Sequence, residues 1–162
     1  MEANRGHLER WLEWPKAMVT VEDVRHWAAR PHDASQAFRF GAYLRSGGAL
    51  VGAAGLRRRS VEPNGGWEWV DVSYWLAKSA TRLGYATEAT RRLALHAFDD
   101  LASPRVEVRT EPANSASADV ARRLGFRHEG TLRSVGQRRG CTIDMAIHAL
   151  LASERSRLDG VS

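Results

Sequence analysis

Two short stretches of this chain place residue types where they could do chemistry. The first is Gly84-Tyr85-Ala86-Thr87, where a glycine stands at the junction of a loop and a helix. A helix start offers unpaired N–H groups and the positive end of the helix dipole, which suit a pyrophosphate. Gly84 would let the phosphate approach the backbone with no side chain between them. A plain turn glycine would look the same. The second stretch is Pro112-Ala113-Asn114-Ser115-Ala116-Ser117. Asn114 and Ser117 are three apart and share one helix face near its start. An Asn amide there could hold an acyl-carrier chain, and a Ser hydroxyl could give a proton to a leaving group. Both are also favoured helix caps, so the residues alone leave both readings open.

The elements that would position these groups follow from periodicity. His7 to Met18 carries Leu8, Trp11 and Leu12 at helical spacing, with Pro15 as its stop. Thr20 caps a second helix whose stripe is Val24, Trp27 and Ala28. The pattern then turns to period two. Ala37 to Arg45 and Ala49 to Arg57 read as strands joined at Ser46-Gly47-Gly48, and Pro63-Asn64-Gly65-Gly66 leads to a long strand, Trp67 to Leu76. A helix from Tyr85 to Asp99 presents Ala86, Ala89, Leu93, Ala97 and Phe98 on one face. Arg105 to Thr110 is a strand, Asn114 to Leu124 a helix closed by Gly125, and His128–Val135 and Cys141–Leu150 form a hairpin around a Gly136–Gly140 turn. This order predicts an α/β fold with a mixed, mostly antiparallel sheet and at least one strand–helix–strand crossover at its centre.

Composition narrows the function classes. The 162 residues fit a single domain, with no repeat or linker to divide residues 1–162. No apolar run is long enough for a membrane span, and the first residues lack the zones of a secretory signal. A lone cysteine, Cys141, and scattered histidines argue against disulfides and zinc, so the expectation is a metal-free cytoplasmic protein. The net charge is +5, and nearly all the positive charge is arginine, because Lys16 and Lys78 are the only lysines. Basic residues alternate with acids along the chain, and no recognition helix or aromatic RNA-binding motif is present, so nucleic-acid binding ranks last.

Eight segments in order carry a wider likeness. They are Asn4-Arg5-Gly6-His7-Leu8 with Trp11-Leu12-Glu13-Trp14, Leu50-Val51-Gly52-Ala53-Ala54-Gly55-Leu56, Val72-Ser73-Tyr74-Trp75-Leu76 and Gly84-Tyr85-Ala86-Thr87-Glu88-Ala89. Downstream follow Asn114-Ser115-Ala116-Ser117, Leu124-Gly125-Phe126, Glu129-Gly130-Thr131-Leu132-Arg133 and Asp144-Met145. Over nearly the whole chain this resembles the GCN5-related N-acetyltransferase (GNAT) superfamily, and within it the RimJ/RimL type of ribosomal-protein N-terminal acetyltransferases. The resemblance implies helices on both faces of the sheet and acetyl-CoA as cosubstrate. Acetyl-CoA would lie where the Trp67–Leu76 strand splays from the Arg105–Glu111 strand. Backbone groups of Tyr74, Trp75 and Leu76 would pair with the pantetheine arm, and N–H groups around Leu83 to Ala86 would hold the pyrophosphate. The N–H of Leu76 or a neighbour would polarise the thioester carbonyl. Asp71 matches an acidic position in relatives and would accept the amine's proton, with a solvent-facing charge as the alternative. Ser117 would protonate the thiolate, a role many relatives give to a tyrosine where this chain has Ala121. Glu68 is a reserve base, although strand alternation sets it on the opposite face from Asp71.

The chain departs from that pattern in three places. The phosphate loop reads Thr81-Arg82-Leu83-Gly84, where relatives carry Gln or Arg and then Gly at the first two positions, so Arg82 would have to supply a phosphate-pairing charge from its side chain. Relatives usually carry a strand and a helix ahead of the Asn4 element, at which this sequence begins, and without them the edge of the Ala37–Arg45 strand would be exposed. Gly136 stands where some ribosomal-protein acetylators carry a glutamate. Trp11, Trp14 and Trp69 could line an acceptor site or simply pack. The expected function is transfer of an acetyl group to a primary amine, either a peptide N-terminus or a small amine. The alternative is a non-catalytic acetyl-CoA-binding regulatory or interaction domain. Monomer and homodimer both stay open.

Overall fold

The computed structural model describes residues 4–13, 37–60 and 68–160. The expected second helix at Thr20–Ala28, the Pro63–Gly66 turn, Trp14 and Trp67 lie outside the described residues. Six strands form one sheet: β1 (Ala37–Tyr43), β2 (Leu50–Ser60), β3 (Glu68–Leu76), β4 (Arg105–Thr110), β5 (Arg127–Arg138) and β6 (Cys141–Leu151). Their spatial order is β1-β2-β3-β4-β6-β5. Every neighbouring pair is antiparallel except β3 and β4, which run parallel. Antiparallel neighbours can be joined by tight turns, whereas the parallel pair needs a crossover, here the helix between them.

The helices are α1 (Arg5–Glu9), α2 (Tyr85–Asp99) and α3 (Ser115–Arg123) among the described residues, with 3-10 turns at Lys78–Ala80 and Ala152–Leu158. In α2, Thr90, Leu93, Ala94 and Ala97 recur at helical spacing and are buried. Leu93, Ala94 and Ala97 meet Leu56, Val70, Val72, Val106, Val108 and Leu150 from the sheet, Val120 and Ala121 from α3, and Leu124 just past its end, in one core. Even-numbered residues of β3 therefore face α2 and α3, and odd-numbered ones face the other way.

The C-terminus of α3 is closed as the sequence predicts. Gly125 takes φ 79°, its N–H bonds Arg122 at 3.0 Å, and the Phe126 N–H bonds Ala121 at 3.0 Å. This double closure needs the left-handed residue that glycine supplies most easily.

Three local readings are corrected. The first helix ends at Glu9, short of Pro15. Past it, the Trp11 and Leu12 N–H groups still bond the Leu8 carbonyl at 3.0 and 2.9 Å, while the side chains turn to the last hairpin: the Arg10 and Arg138 guanidiniums lie over the Trp11 ring, and Glu13 accepts a 2.7 Å bond from the Arg139 N–H. The last hairpin turns at Arg139-Gly140 (φ 55° and 76°), not across Gly136–Gly140. Two consecutive positive φ values match the tight turn whose twist suits paired strands, which lets β5 run through Gly136 to Arg138. The 3-10 segment Ala152–Leu158 is an element the periodicity did not announce. Its anchor is the single fully buried Leu158, whose carbonyl accepts a 2.6 Å bond from Arg91.

Candidate functional site

Because β3 and β4 are parallel, their C-terminal ends lie at the same end of the sheet, and each feeds a helix start. The end of β3 leads through the Lys78–Ala80 turn to Gly84 and α2, and the end of β4 leads to Asn114 and α3. In open α/β sheets this is where ligands bind, outside the carboxyl ends of strands. The two stretches singled out for chemistry, thirty residues apart in sequence, open onto one place.

Between them the sheet divides. Pairing of β3 with β4 covers Val70–Val72 against Val106–Val108 and goes no further. Beyond Val72, β3 keeps its partner on the β2 side, where Gly52 to Gly55 pair with Leu76 to Ser73. The Ala77 N–H bonds the Val51 carbonyl at 2.8 Å, and the Trp75 carbonyl also points toward β2, 2.2 Å from where a Gly52 Cβ would sit. Backbone direction alternates along a strand. The polar groups of Tyr74 and Leu76 therefore face the gap toward β4, while those of Trp75 belong to the β2 ladder. Of the three residues expected to offer backbone bonds, two are aimed into the cleft.

At the start of α2, Gly84 takes φ 83° in the cap position with no side-chain cap. A Cβ added there would meet nothing within 4 Å. The first backbone bond runs from Glu88 to Gly84 at 3.0 Å, so the N–H groups of Tyr85, Ala86 and Thr87 precede the intrahelical ladder. Leu83 and Arg82 are exposed beside them. Arg82 adopts φ 63°, the left-handed geometry for which a glycine would be the ordinary choice.

At the start of α3, the Asn114 Oδ1 accepts from the Ser117 N–H at 3.3 Å, a helix cap. The Ser117 side chain lies 2.8 Å from the Tyr74 phenol oxygen, and either hydroxyl can donate. The phenol also lies 3.4 Å from the Ser117 carbonyl oxygen. Burial pushes the Tyr74 phenol above its ordinary value, and the bond to Ser117 opposes that only in part. Reading the sequence assigned Tyr74 a backbone role only and missed its side chain. Ser117 and Tyr74 are 43 residues apart, and no local pattern announces such a contact.

Asp71 lies one residue before the splay, on the face opposite α2 and α3. Arg59 Nε donates to its Oδ2 at 2.5 Å, and Arg109 Nε stands 3.4 Å from its Oδ1, an oxygen that is buried without a hydrogen-bond partner. Arg109 also donates to Glu107 at 2.8 Å, and Arg105 links Glu107 to Glu129. Opposite charges thus alternate from β2 across to β5. Glu129 joins through a bulge in β5, where the register shifts between His128 and Gly130. The β2–β3 register is unbroken from Glu68 to Leu76, so Glu68 faces away from Asp71, as alternation predicts. Trp69 shares the Asp71 face and lies under the Arg109 guanidinium, 5.7 Å from ring centroid to carbon.

The N-terminal element closes the arrangement. Asn4 Oδ1 accepts from the Lys78 N–H at 2.8 Å, just past the end of β3, while Arg139 donates to the Glu9 carbonyl at 2.8 Å. One short segment therefore ties the end of β3 to the β5–β6 turn. Gly136 has no room for a side chain as packed, since a Cβ there would sit 2.9 Å from Ile143. Among the described residues no group of three or more His, Cys, Asp or Glu could hold a metal ion, and no helix is long and apolar enough to cross a membrane.

A family model described as an acetyltransferase (GNAT) domain matches residues 2–127. The uncharacterized N-acetyltransferase p20 of Bacillus licheniformis is 31% identical over 119 residues, 74% of this chain. The matched region spans 65% of that relative's length. Among solved structures, RimL, a ribosomal L7/L12 alpha-N-protein acetyltransferase in complex with coenzyme A, superposes with a TM-score of 0.77 at 22% identity, covering 93% of this chain and 83% of that one. Mycobacterium smegmatis RimJ, in complex with a CoA-disulfide, gives a TM-score of 0.74 at 24% identity, covering 99% of this chain and 81% of that one. Both likenesses concern the fold.

Proposed function

The chain belongs to the GNAT acetyltransferase family, and on that premise we propose that it moves an acetyl group from acetyl-CoA to a primary amine, with a protein N-terminal α-amine as the acceptor class. The observation that carries this reading is the convergence of an unpaired β3 edge with two helix starts at one end of the sheet. An extended pantetheine arm pairs with the backbone groups of Tyr74 and Leu76 much as a strand would. The N–H groups from Leu83 to Thr87 take the pyrophosphate, with the Arg82 side chain adding charge. Asn114 caps α3 and so fixes where Ser117 stands.

Acetyl-CoA supplies the activated acyl group as a thioester. The Leu76 N–H, aimed into the cleft, polarises the thioester carbonyl. The acceptor amine approaches from the face that carries Trp69 and Asp71, and the Asp71 carboxylate takes its proton through water. Ser117 gives a proton to the departing sulfur. Much of the acceleration comes from holding two reactants in one cleft. The choice of a peptide N-terminus follows RimL, an alpha-N-protein acetyltransferase of like fold, together with the segment from Asn4 to Glu13 that bridges β3 and the β5–β6 turn beside the cleft. A cytoplasmic location and a homodimer belong to the same proposal.

Thermal unfolding with and without acetyl-CoA tests the reading. At about 100 times its dissociation constant the ligand adds ~2.7 kcal/mol, a shift of roughly 5–10 °C at this size. Gly84→Asp, which sets a carboxylate against the pyrophosphate, abolishes the shift. Asp71→Asn keeps the shift and loses thiol release with amine acceptors. Absence of any shift at millimolar acetyl-CoA in the unaltered protein would refute the proposal. A shift without turnover on any peptide or small amine would favour a regulatory acetyl-CoA-binding domain.

A further inference from the structure

A serine hydroxyl is a weak acid, and on its own it is a poor proton source for a sulfur anion. When the C–S bond breaks, its electron pair stays on sulfur, and the proton that sulfur takes leaves negative charge on the donor oxygen. That charge needs a partner aimed at the same atom. In this chain the partner is visible: the Tyr74 phenol stands 2.8 Å from the Ser117 Oγ, reaching from the end of β3, past its pairing with β4, to the first turn of α3. Ala121, one turn further along α3, is fully buried in the core and offers no polar group there.

We propose that Tyr74 is a positioning residue for proton delivery, its phenol donating to the Ser117 Oγ so that the serine's own hydrogen is turned toward the cleft and the departing thiolate. This rests on the acetyl-transfer reading above and deepens it at one atom. The proton balance closes. The attacking amine loses its proton to the base side of the cleft, sulfur gains the Ser117 hydrogen, and Oγ, steadied by the phenol, regains a proton from solvent before the next turnover. Tyr74 itself stays protonated throughout. Burial, which keeps the phenol from ionising, holds it as a donor rather than an acid. The same ring bridges the two walls of the cleft, so a simple tie between β3 and α3 would need the same bond. The two roles differ in which ligand notices its loss.

The probe is coenzyme A itself, whose thiolate is the leaving group that the pair would meet before protonating it, compared with acetyl-CoA, which carries no anion on sulfur. Dissociation constants for both are measured by calorimetry at pH 9, near and above the usual thiol range, for the unaltered protein, Tyr74→Phe, Ser117→Ala and the double variant. The phenylalanine keeps the ring and removes only the hydroxyl. The expected result is that each single variant weakens CoA by roughly 10–100-fold, the usual scale for a hydrogen bond to a charged group, with acetyl-CoA changed less than 2-fold. The double variant should be no weaker than the worse single, because the two hydroxyls act as one unit. Equal weakening of both ligands by Tyr74→Phe would reduce the bond to a structural tie and overturn the inference, as would no change in either. If the unaltered protein binds neither ligand, the acetyl-transfer reading fails and this one with it.

Discussion

Arg82 sits at φ 63°, where an L side chain crowds its own carbonyl at a cost of about 1–2 kcal/mol. The chain keeps a left-handed turn before α2 and fills it with a charged residue. The strain is relieved by Arg82→Gly, partly offset by the greater freedom of glycine in the unfolded chain, so the variant should melt slightly higher. It should also bind acetyl-CoA several-fold more weakly, because the guanidinium beside the helix start is gone. Calorimetry and a melting curve on the same sample separate the two effects. If the variant binds acetyl-CoA as tightly as the parent, Arg82 plays no part in holding phosphate. This position shows what a single residue reveals in sequence. Gly84 and Gly125 are readable because a positive φ at a helix boundary has few other solutions. Arg82 was recognisable only as an oddity against relatives, and its backbone geometry required the structure. Asp71 was visible as a carboxylate on a strand, but its clasp by Arg59 and Arg109 depends on which residues the register sets side by side.

At the scale of elements, periodicity located the strands and helices that build the cleft to within a few residues. It did so because each buries one face against the core: α2 and β4 have the bounds expected of them. Where an element is held by something other than an apolar stripe, the reading drifted. β5 is nearly all exposed or half-buried along its length, and its end is set by a two-residue turn and by an Asp144 carboxylate that accepts the Ser134 N–H at 2.9 Å. The wall of the cleft carries a sharper constraint that periodicity cannot express. β2 and β3 approach so closely at Gly52 that a Cβ would lie 2.2 Å from the Trp75 carbonyl oxygen and 2.7 Å from a Leu76 methyl. Gly52→Ala must therefore push β3 away from β2 just where β3 turns its other edge to the cleft. The expected cost is about 1–3 kcal/mol, seen as a lower urea midpoint with an unchanged slope. The KM for acetyl-CoA should rise as well, because Leu76 moves with the strand. A variant with parental KM and midpoint would mean that the strands separate freely there.

The molecule as a whole joins these parts through one parallel pair of strands, which no stretch of sequence declares. Only the insertion of β4 between β3 and β6 brings Gly84 and Ser117 to the same end of the sheet. That insertion also places a histidine under α3. His148 faces Val108 across β4 and β6, is 4% exposed, and has an Nδ1 with no hydrogen-bond partner. Its ring lies 5.1 Å from His128 on β5. Burial holds its pKa below the ordinary histidine value, with the charges of His128 and of Arg122 on α3 adding to the effect and a backbone bond to Val108 opposing it. The native protein therefore binds this proton less readily than the unfolded chain does. The stabilisation is fully present above the unfolded histidine value of about 6.5 and is lost as pH falls through the lower native one. The protein should melt at a lower temperature at pH 5.5 than at pH 7.5, and at this size each kcal/mol is worth about 2–4 °C. His148→Leu removes the titrating group while keeping an apolar volume under α3, so its melting point should change much less over the same interval. His128→Ala removes one of the two neighbouring charges and should fall between the two. Melting curves across pH 5.5–7.5 for the three proteins decide the matter, because an undiminished slope in His148→Leu would place the acid sensitivity elsewhere in the fold.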